Sequence, residues 1–439
     1  MRRLFSAAVL LALIPPRAVF AQPDLMLGSA ATIPLGVADT VFVTGNETTR
    51  PYVILNEMFL RPGSEVTTAA IEYDRRRIYS LGLFTRVDIL YDSLGGKRYL
   101  LVDVNERWYL FPVPILGFRD GDPKRLYFGA GLVLNNLGGR NQKLFASIIL
   151  GYDPSIGLSF LEPLVEPEHR LSLGVGASFS RVSNKSMTSG DFRNNMYDLH
   201  ATLGKRFGLY TTLAFTIGYE VVAVSAHSPG RTVSPTGKDA FLYSSASITH
   251  DTRDLIEYPM AGAFANAQVT KFGAGESMVN YLRYGSDVRL FVPLVSTLTL
   301  AARAAGSAVS GGSIPLYART YFGYGERIRG HFSEVMEGED LLTGSLELRW
   351  AVLPAVTVFM RELPLPMEFK VWRFGITLSA FADAGAVWFR RDGLQIDDFR
   401  RGQGIGVNFL LPYSYVARIE YAWNERWRGQ WILDLRGPF

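Results

Sequence analysis

From Trp108 to Phe439 apolar and polar residues alternate almost throughout. In Leu171–Ser180 one face carries Leu171, Leu173, Val175, Ala177 and Phe179, and the other Ser172, Gly174, Gly176, Ser178 and Ser180. In Leu213–Val221 the same period sets Leu213, Phe215, Ile217, Tyr219 and Val221 against Ala214, Thr216, Gly218 and Glu220. A period of two predicts strands with one face in each environment. In Ser345–Trp350 the polar face is Ser345, Glu347 and Arg349. Large apolar residues outward and small or polar ones inward is the pattern of a barrel in lipid, the reverse of a soluble sandwich. Segments between turn clusters predict strands near residues 109, 125, 141, 155, 169, 191, 210, 239, 261, 278, 296, 341, 372, 402, 414 and 429. That is about sixteen antiparallel strands, an even number, with ~21 residues available for each span of ~10 and its loop.

Before Trp108 the pattern is mixed. A strand at Thr40–Thr44 is followed by helical stretches at Arg50–Phe59 and Thr67–Ser80, broken by Arg61-Pro62-Gly63-Ser64. Strands at Thr85–Tyr91 and Arg98–Asn105 close the unit around Ser93–Gly96. The expectation is a small β-α-α-β-β domain over residues 39–107, about 70 residues and long enough to fold alone, followed by a barrel over 108–439. At the start, Met1-Arg2-Arg3, an apolar run from Leu4 to Ile14 and Val19-Phe20-Ala21 read as a secretory signal peptide over 1–21, with 22–38 as linker.

Composition narrows the possibilities. No run reaches the ~18 apolar residues of a helical membrane span, although 48% of the residues are apolar, so an all-β transmembrane barrel is the expected fold class. The absence of cysteine removes disulfides, thiolate metal sites and cysteine nucleophiles. The five histidines, at 169, 200, 227, 250 and 331, show no ligand spacing, so neither metal nor cofactor is expected, and no enzyme activity. The net charge of +4 is dispersed, which gives no footprint for nucleic acid.

Three features are candidates for mechanism. Pro112 and Pro114, two residues apart in the first barrel strand, remove two N–H donors from the same edge. They mark either a bent connector or a weak closing seam against the last strand. The longest gap between strands, Val309–Asp340, is the sixth external loop and contains Tyr321-Phe322-Gly323-Tyr324-Gly325-Glu326-Arg327-Ile328-Arg329-Gly330-His331. By parity Asp383 of the thirteenth strand points into the lumen, where an inward loop could pair Arg329 with it. Trp423, Trp427 and Trp431 lie near strand ends as an interfacial girdle.

Ile328-Arg329-Gly330 resembles the VRGF/VRGY loop signature, and Phe381-x-Asp383-x-Gly385 the strand motif, of the BamA/TamA superfamily, the bacterial surface antigen family of outer-membrane assembly barrels. Asn136-Leu137-Gly138-Gly139-Arg140-Asn141, Asp251-Thr252-Arg253-Asp254 with Pro259 and Gly262, and Glu347-Leu348-Arg349 are similar to three further blocks. Thr44-Gly45-Asn46, Gly63 and Leu81-Gly82-Leu83-Phe84-Thr85-Arg86-Val87 resemble its polypeptide-transport-associated (POTRA) domain. The resemblance implies a protein of the bacterial outer membrane with its POTRA domain in the periplasm. Its partners would be outer-membrane lipid, unfolded outer-membrane or exported protein clients, and periplasmic proteins. It further implies an Arg329–Asp383 lock with Gly330 and Gly385 as close-packing positions. The last strand, with Trp431, Leu433, Leu435 and the terminal Phe439, would be the targeting strand. There are two departures: His331 stands where the family has Phe or Tyr, and one POTRA module stands where the general insertase has several. The expected function is assembly, insertion or translocation at the outer membrane through a laterally opening seam. The alternatives are a dedicated single-cargo or lipid transporter and a passive channel.

Overall fold

The computed structural model describes residues 33–119, 124–186, 189–226, 228–256, 258–274, 278–332, 334–360, 371–411 and 415–436. The signal-peptide reading, most of the linker and Phe439 lie outside these residues.

The amino-terminal unit contains β1 (Pro34–Val37), β2 (Thr40–Thr44), α1 (Pro51–Leu55), β3 (Glu65–Thr67), α2 (Thr68–Ser80), β4 (Phe84–Leu94) and β5 (Lys97–Glu106). β5 is central, parallel to β2 and antiparallel to β4. Thr67 caps α2 by accepting the Ala70 N–H at 3.1 Å. Helices and sheet enclose Val53, Ile54, Met58, Leu60, Ile78, Leu83, Phe84, Leu100 and Val102, a conventional dry core. The strand β3 was not expected, β4 runs three residues beyond the expected Tyr91, and two further boundaries differ from the sequence expectation. The helix expected over Arg50–Phe59 is only Pro51–Leu55, because the Phe59 and Leu60 amides donate to Asp74 of α2 at 2.6 and 2.9 Å instead of continuing a helical ladder. β1 pairs with β3, and Ala38 is fully buried, so the end of the expected linker is built into this unit.

The rest is one sheet of sixteen antiparallel strands: β6 (Leu110–Phe118), β7 (Leu126–Leu137), β8 (Gln142–Gly151), β9 (Ser155–Glu166), β10 (Leu171–Ser183), β11 (Arg193–Phe207), β12 (Thr211–Val224), β13 (Lys238–Asp251), β14 (Gly262–Phe272), β15 (Tyr281–Val295), β16 (Leu298–Gly311), β19 (Asp340–Phe359), β20 (Val371–Trp388), β21 (Arg400–Leu411), β22 (Tyr415–Asn424) and β23 (Gly429–Arg436). Each expected strand start falls within three residues of an observed one. Two short strands, β17 (Thr320–Phe322) and β18 (Met336–Gly338), pair within the long loop and were not expected.

The radial pattern is inverted relative to a soluble protein. Leu199, Phe215 and Ile217 are 62%, 53% and 51% exposed, whereas Glu347 and Asp383 are each 8% exposed. An outer surface this apolar is stable only against lipid. The amino-terminal unit docks on one end of the barrel: Arg50 N–H donates to Gly139 O at 2.8 Å and Asn136 Nδ2 to Thr49 Oγ1 at 2.8 Å. A Cβ on Gly139 would lie 2.0 Å from Thr48 O, so the Asn136–Asn141 block is the seat of this contact.

Candidate functional site

The loop between β16 and β19, the eleventh and twelfth barrel strands, folds into the lumen. Phe322 and Ile328 are 0% and 1% exposed, packed on Leu341. Gly385 makes room for them, since a Cβ there would lie 2.7 Å from the Phe322 ring and 3.1 Å from Ile328. Beyond Ile328 the Arg329 guanidinium uses all five of its N–H donors. Nε and Nη2 form a two-pronged pair with Asp383 at 2.7 and 2.8 Å. Nη1 donates to Glu347 and Glu420 at 2.8 and 3.0 Å, and Nη2 also to Ser345 Oγ at 3.0 Å. Its Cζ lies over the Phe381 ring, 3.5 Å from the ring centre. Glu347 is held in turn by Arg349 at 2.8 Å, and Arg349 reaches Pro259 O at 2.9 Å. A desolvated charge with every hydrogen bond made is a rigid fixture.

The tip beyond Arg329 fits because two backbones lack side chains. Gly330 has φ +99°, and a Cβ on Gly402 would lie 1.5 Å from Arg329 O. With its amide oxygen turned toward the tip, Gln430 of β23 accepts the Gly330, His331 and Phe332 N–H groups at 3.2, 3.3 and 2.8 Å. His331, buried, places Nε2 2.7 Å from Glu425, while Nδ1 lies 2.9 Å from Glu334 without hydrogen-bond alignment. The next residue, Phe332, packs on Phe381, Ala422 and Ile432, with the Arg327 Cζ 4.1 Å from the centre of its ring. Ile328, Arg329, Gly330, His331, Phe381, Asp383 and Gly385 are thus brought together. Glu420, Gly402, Gln430 and Phe332 join them without having been singled out. The inward parity of Glu420, between outward Ile419 and Tyr421, was the available signal for it.

The seam lies at the two ends of the sheet. Tyr109 O accepts from Asn135 N–H, and Arg119 N–H donates to Arg125 O, at opposite ends of an unbroken register. The odd-numbered residues of β6 therefore bond to β7, and Leu110, Pro112, Pro114, Leu116 and Phe118 turn their backbones to the free edge. That edge keeps five carbonyls and three N–H groups. In β23 the bond from Asn424 N–H to Arg428 O turns even residues toward β22 and leaves Gly429, Trp431 and Leu433 on the other edge. Among the described residues no ladder joins β6 to β23. Trp431 and Leu433 are 75% and 82% exposed beside this seam, and Leu435 follows them in β23.

Residues 136–429 match the Omp85 superfamily domain, and residues 37–107 match the POTRA family described as surface antigen variable number repeat. The crystal structure of BamA from Haemophilus ducreyi lacking POTRA domains 1–3 is similar over 91% of this chain and 83% of that one, at 16% identity and a TM-score of 0.57. CdiB from Escherichia coli is similar over 91% of this chain and 75% of that one, at 12% identity and a TM-score of 0.57. At these identities the likeness speaks for the fold. The domain match covers most of the barrel, including the loop and strand motifs around Arg329 and Asp383, and with it the chain belongs to the Omp85 superfamily of outer-membrane barrels.

Proposed function

We propose that this protein inserts or translocates polypeptide clients at the bacterial outer membrane, receiving them at its periplasmic POTRA domain and passing them to a seam between β6 and β23 that parts sideways. The observation that carries this reading is the polarity of the β6 edge. Pro112 and Pro114 remove two donors from the five positions that would face β23, so a closed ladder there would leave carbonyls without partners. A client strand could bond to the five carbonyls of the β6 edge and to the free edge of β23, both of which a poorly closed seam leaves available. The inward loop supports the barrel while the seam is open, because Arg329 and the tip bond to β19, β20, β22 and β23 and, among the described residues, make no hydrogen bond to β6. On this reading β23, with Trp431, Leu433 and Leu435, directs this protein's own assembly, and the exposed apolar girdle contacts lipid.

The absence of native cysteine makes the test clean. Cysteines at Leu110, Leu116 or Phe118, each tried with one at Leu433, sample the register of the seam, and the pair that lies opposite would lock it as a disulfide when oxidised. The reconstituted, locked protein is expected to lose insertion of an unfolded barrel client into liposomes and to regain it on reduction. Normal insertion by the locked form would overturn the seam mechanism. Loss of transport of one exported substrate, with barrel insertion intact, would instead favour the dedicated transporter.

A further inference from the structure

A cavity of about 370 Å³ lies where α2 of the POTRA domain meets the periplasmic mouth of the barrel. Leu81, Leu209, Tyr210 and Ile256 contribute apolar wall to it. Its charges do not balance: Arg76, Arg77, Lys143, Arg206 and Arg253 line it against Glu57, Asp251 and Asp254. The carboxylates are all engaged. Glu57 takes both Arg77, at 2.8 Å, and Arg206; Asp251 takes Arg253 at 2.7 Å; Asp254 lies 3.8 Å from Arg76 and accepts the Met260 and Ala261 N–H groups at 3.0 and 3.1 Å. Lys143 of β8 has no hydrogen bond or ion pair among the described residues. The carboxylate whose charge reaches it, Glu57, is already shared by Arg77 and Arg206, so an added anion would stabilise the ammonium.

We propose that this junction is a binding site for an apolar group bearing one carboxylate or phosphate, with Lys143 as the anchoring cation and the apolar wall holding the body. The site differs from both the Arg329 lock and the seam, and stands whether or not the seam opens. The anion would offset part of this excess of positive charge between POTRA and barrel, so its binding also stiffens their junction.

The test uses the full chain in nanodiscs of phosphatidylcholine, with binding read by calorimetry. The probes are N-acetyl-phenylalanine, its uncharged amide, and phenyl phosphate. Wild-type protein is expected to bind at least one of the two anions, and to bind it at least about tenfold more tightly than the amide. The anion that binds better identifies the source as carboxylate or phosphate. Lys143→Met is expected to lose that preference and Lys143→Arg to keep it. Because Lys143 makes no hydrogen bond or ion pair among the described residues, the Lys143→Met protein should keep its melting temperature. Equal binding of anion and amide, unchanged anion binding by Lys143→Met, or no binding of either anion would overturn the proposal.

Discussion

At the scale of single residues, Arg329 decides whether the long loop stays in the lumen. Asp383→Ala removes its two-pronged partner and leaves a buried guanidinium short of two bonds. The expected cost is about 3–5 kcal/mol, visible as a lower unfolding temperature of the barrel in detergent. Gly402→Ala tests the same seat from the opposite side: a Cβ there meets Arg329 O, whereas one on Gly325, in the same loop, meets nothing within 4 Å. Protease access to the loop should therefore rise in Gly402→Ala and stay unchanged in Gly325→Ala. In the POTRA core, burial pushes the Asp74 carboxyl up to about 6, against the Phe59 and Leu60 N–H donors and the nearby Arg61 and Arg77. The folded state then holds this proton more tightly than the unfolded chain, whose ordinary value is 3.8. That contribution to stability is full below about pH 4 and is lost as pH rises toward 6. Hydrogen exchange at the Phe59 and Leu60 amides of the full chain should accelerate across that interval, after correction for the intrinsic rate; a flat corrected profile would contradict it.

At the scale of elements, the docking of POTRA on the barrel turns on Glu57, which sits between Arg77 of α2 and Arg206 of β11. Burial raises its carboxyl, but Arg206 and Arg77 outweigh burial and hold it below the ordinary range. Its contribution is thus present above about pH 4.5 and lost as pH falls through the depressed value. Glu57→Ala is expected to broaden the distance distribution between spin labels on α2 and on the barrel rim at neutral pH, with the domain still folded. The strands were legible because alternation is strict where one face meets lipid and the other the lumen, and turn residues punctuate it. The lock was legible as Arg329 and Asp383 because their motifs are compact in sequence. Its other partners were not: Glu420, Gly402 and Gln430 come from three more strands, and only the barrel's curvature brings them to one point. The short α1 escaped for a similar reason, since Asp74 competes for amides that local propensity would assign to a helix.

At the scale of the whole molecule, the lumen is occupied by a loop bonded across several strands, and this separates the protein from an open pore. Planar-bilayer conductance should be low in the wild type and rise in Arg329→Ala; a steady, large conductance in both would argue for a passive channel. The order of pairing has a further consequence, for how the molecule comes into being. Among the described residues each barrel strand pairs only with the barrel strands next to it in sequence order, so the ladder can grow hairpin by hairpin at little cost in loop entropy. Arg329 bridges only forward, to Ser345, Glu347, Asp383 and Glu420. The stretch from β19 to β23 can therefore consolidate around one side chain before the eleven strands from β6 to β16 have settled. The ribosome makes the amino-terminal end first, yet in pulsed hydrogen exchange the amides of β19–β22 are expected to gain protection ahead of those of β6–β8, so the barrel would mature against the direction in which it was synthesised.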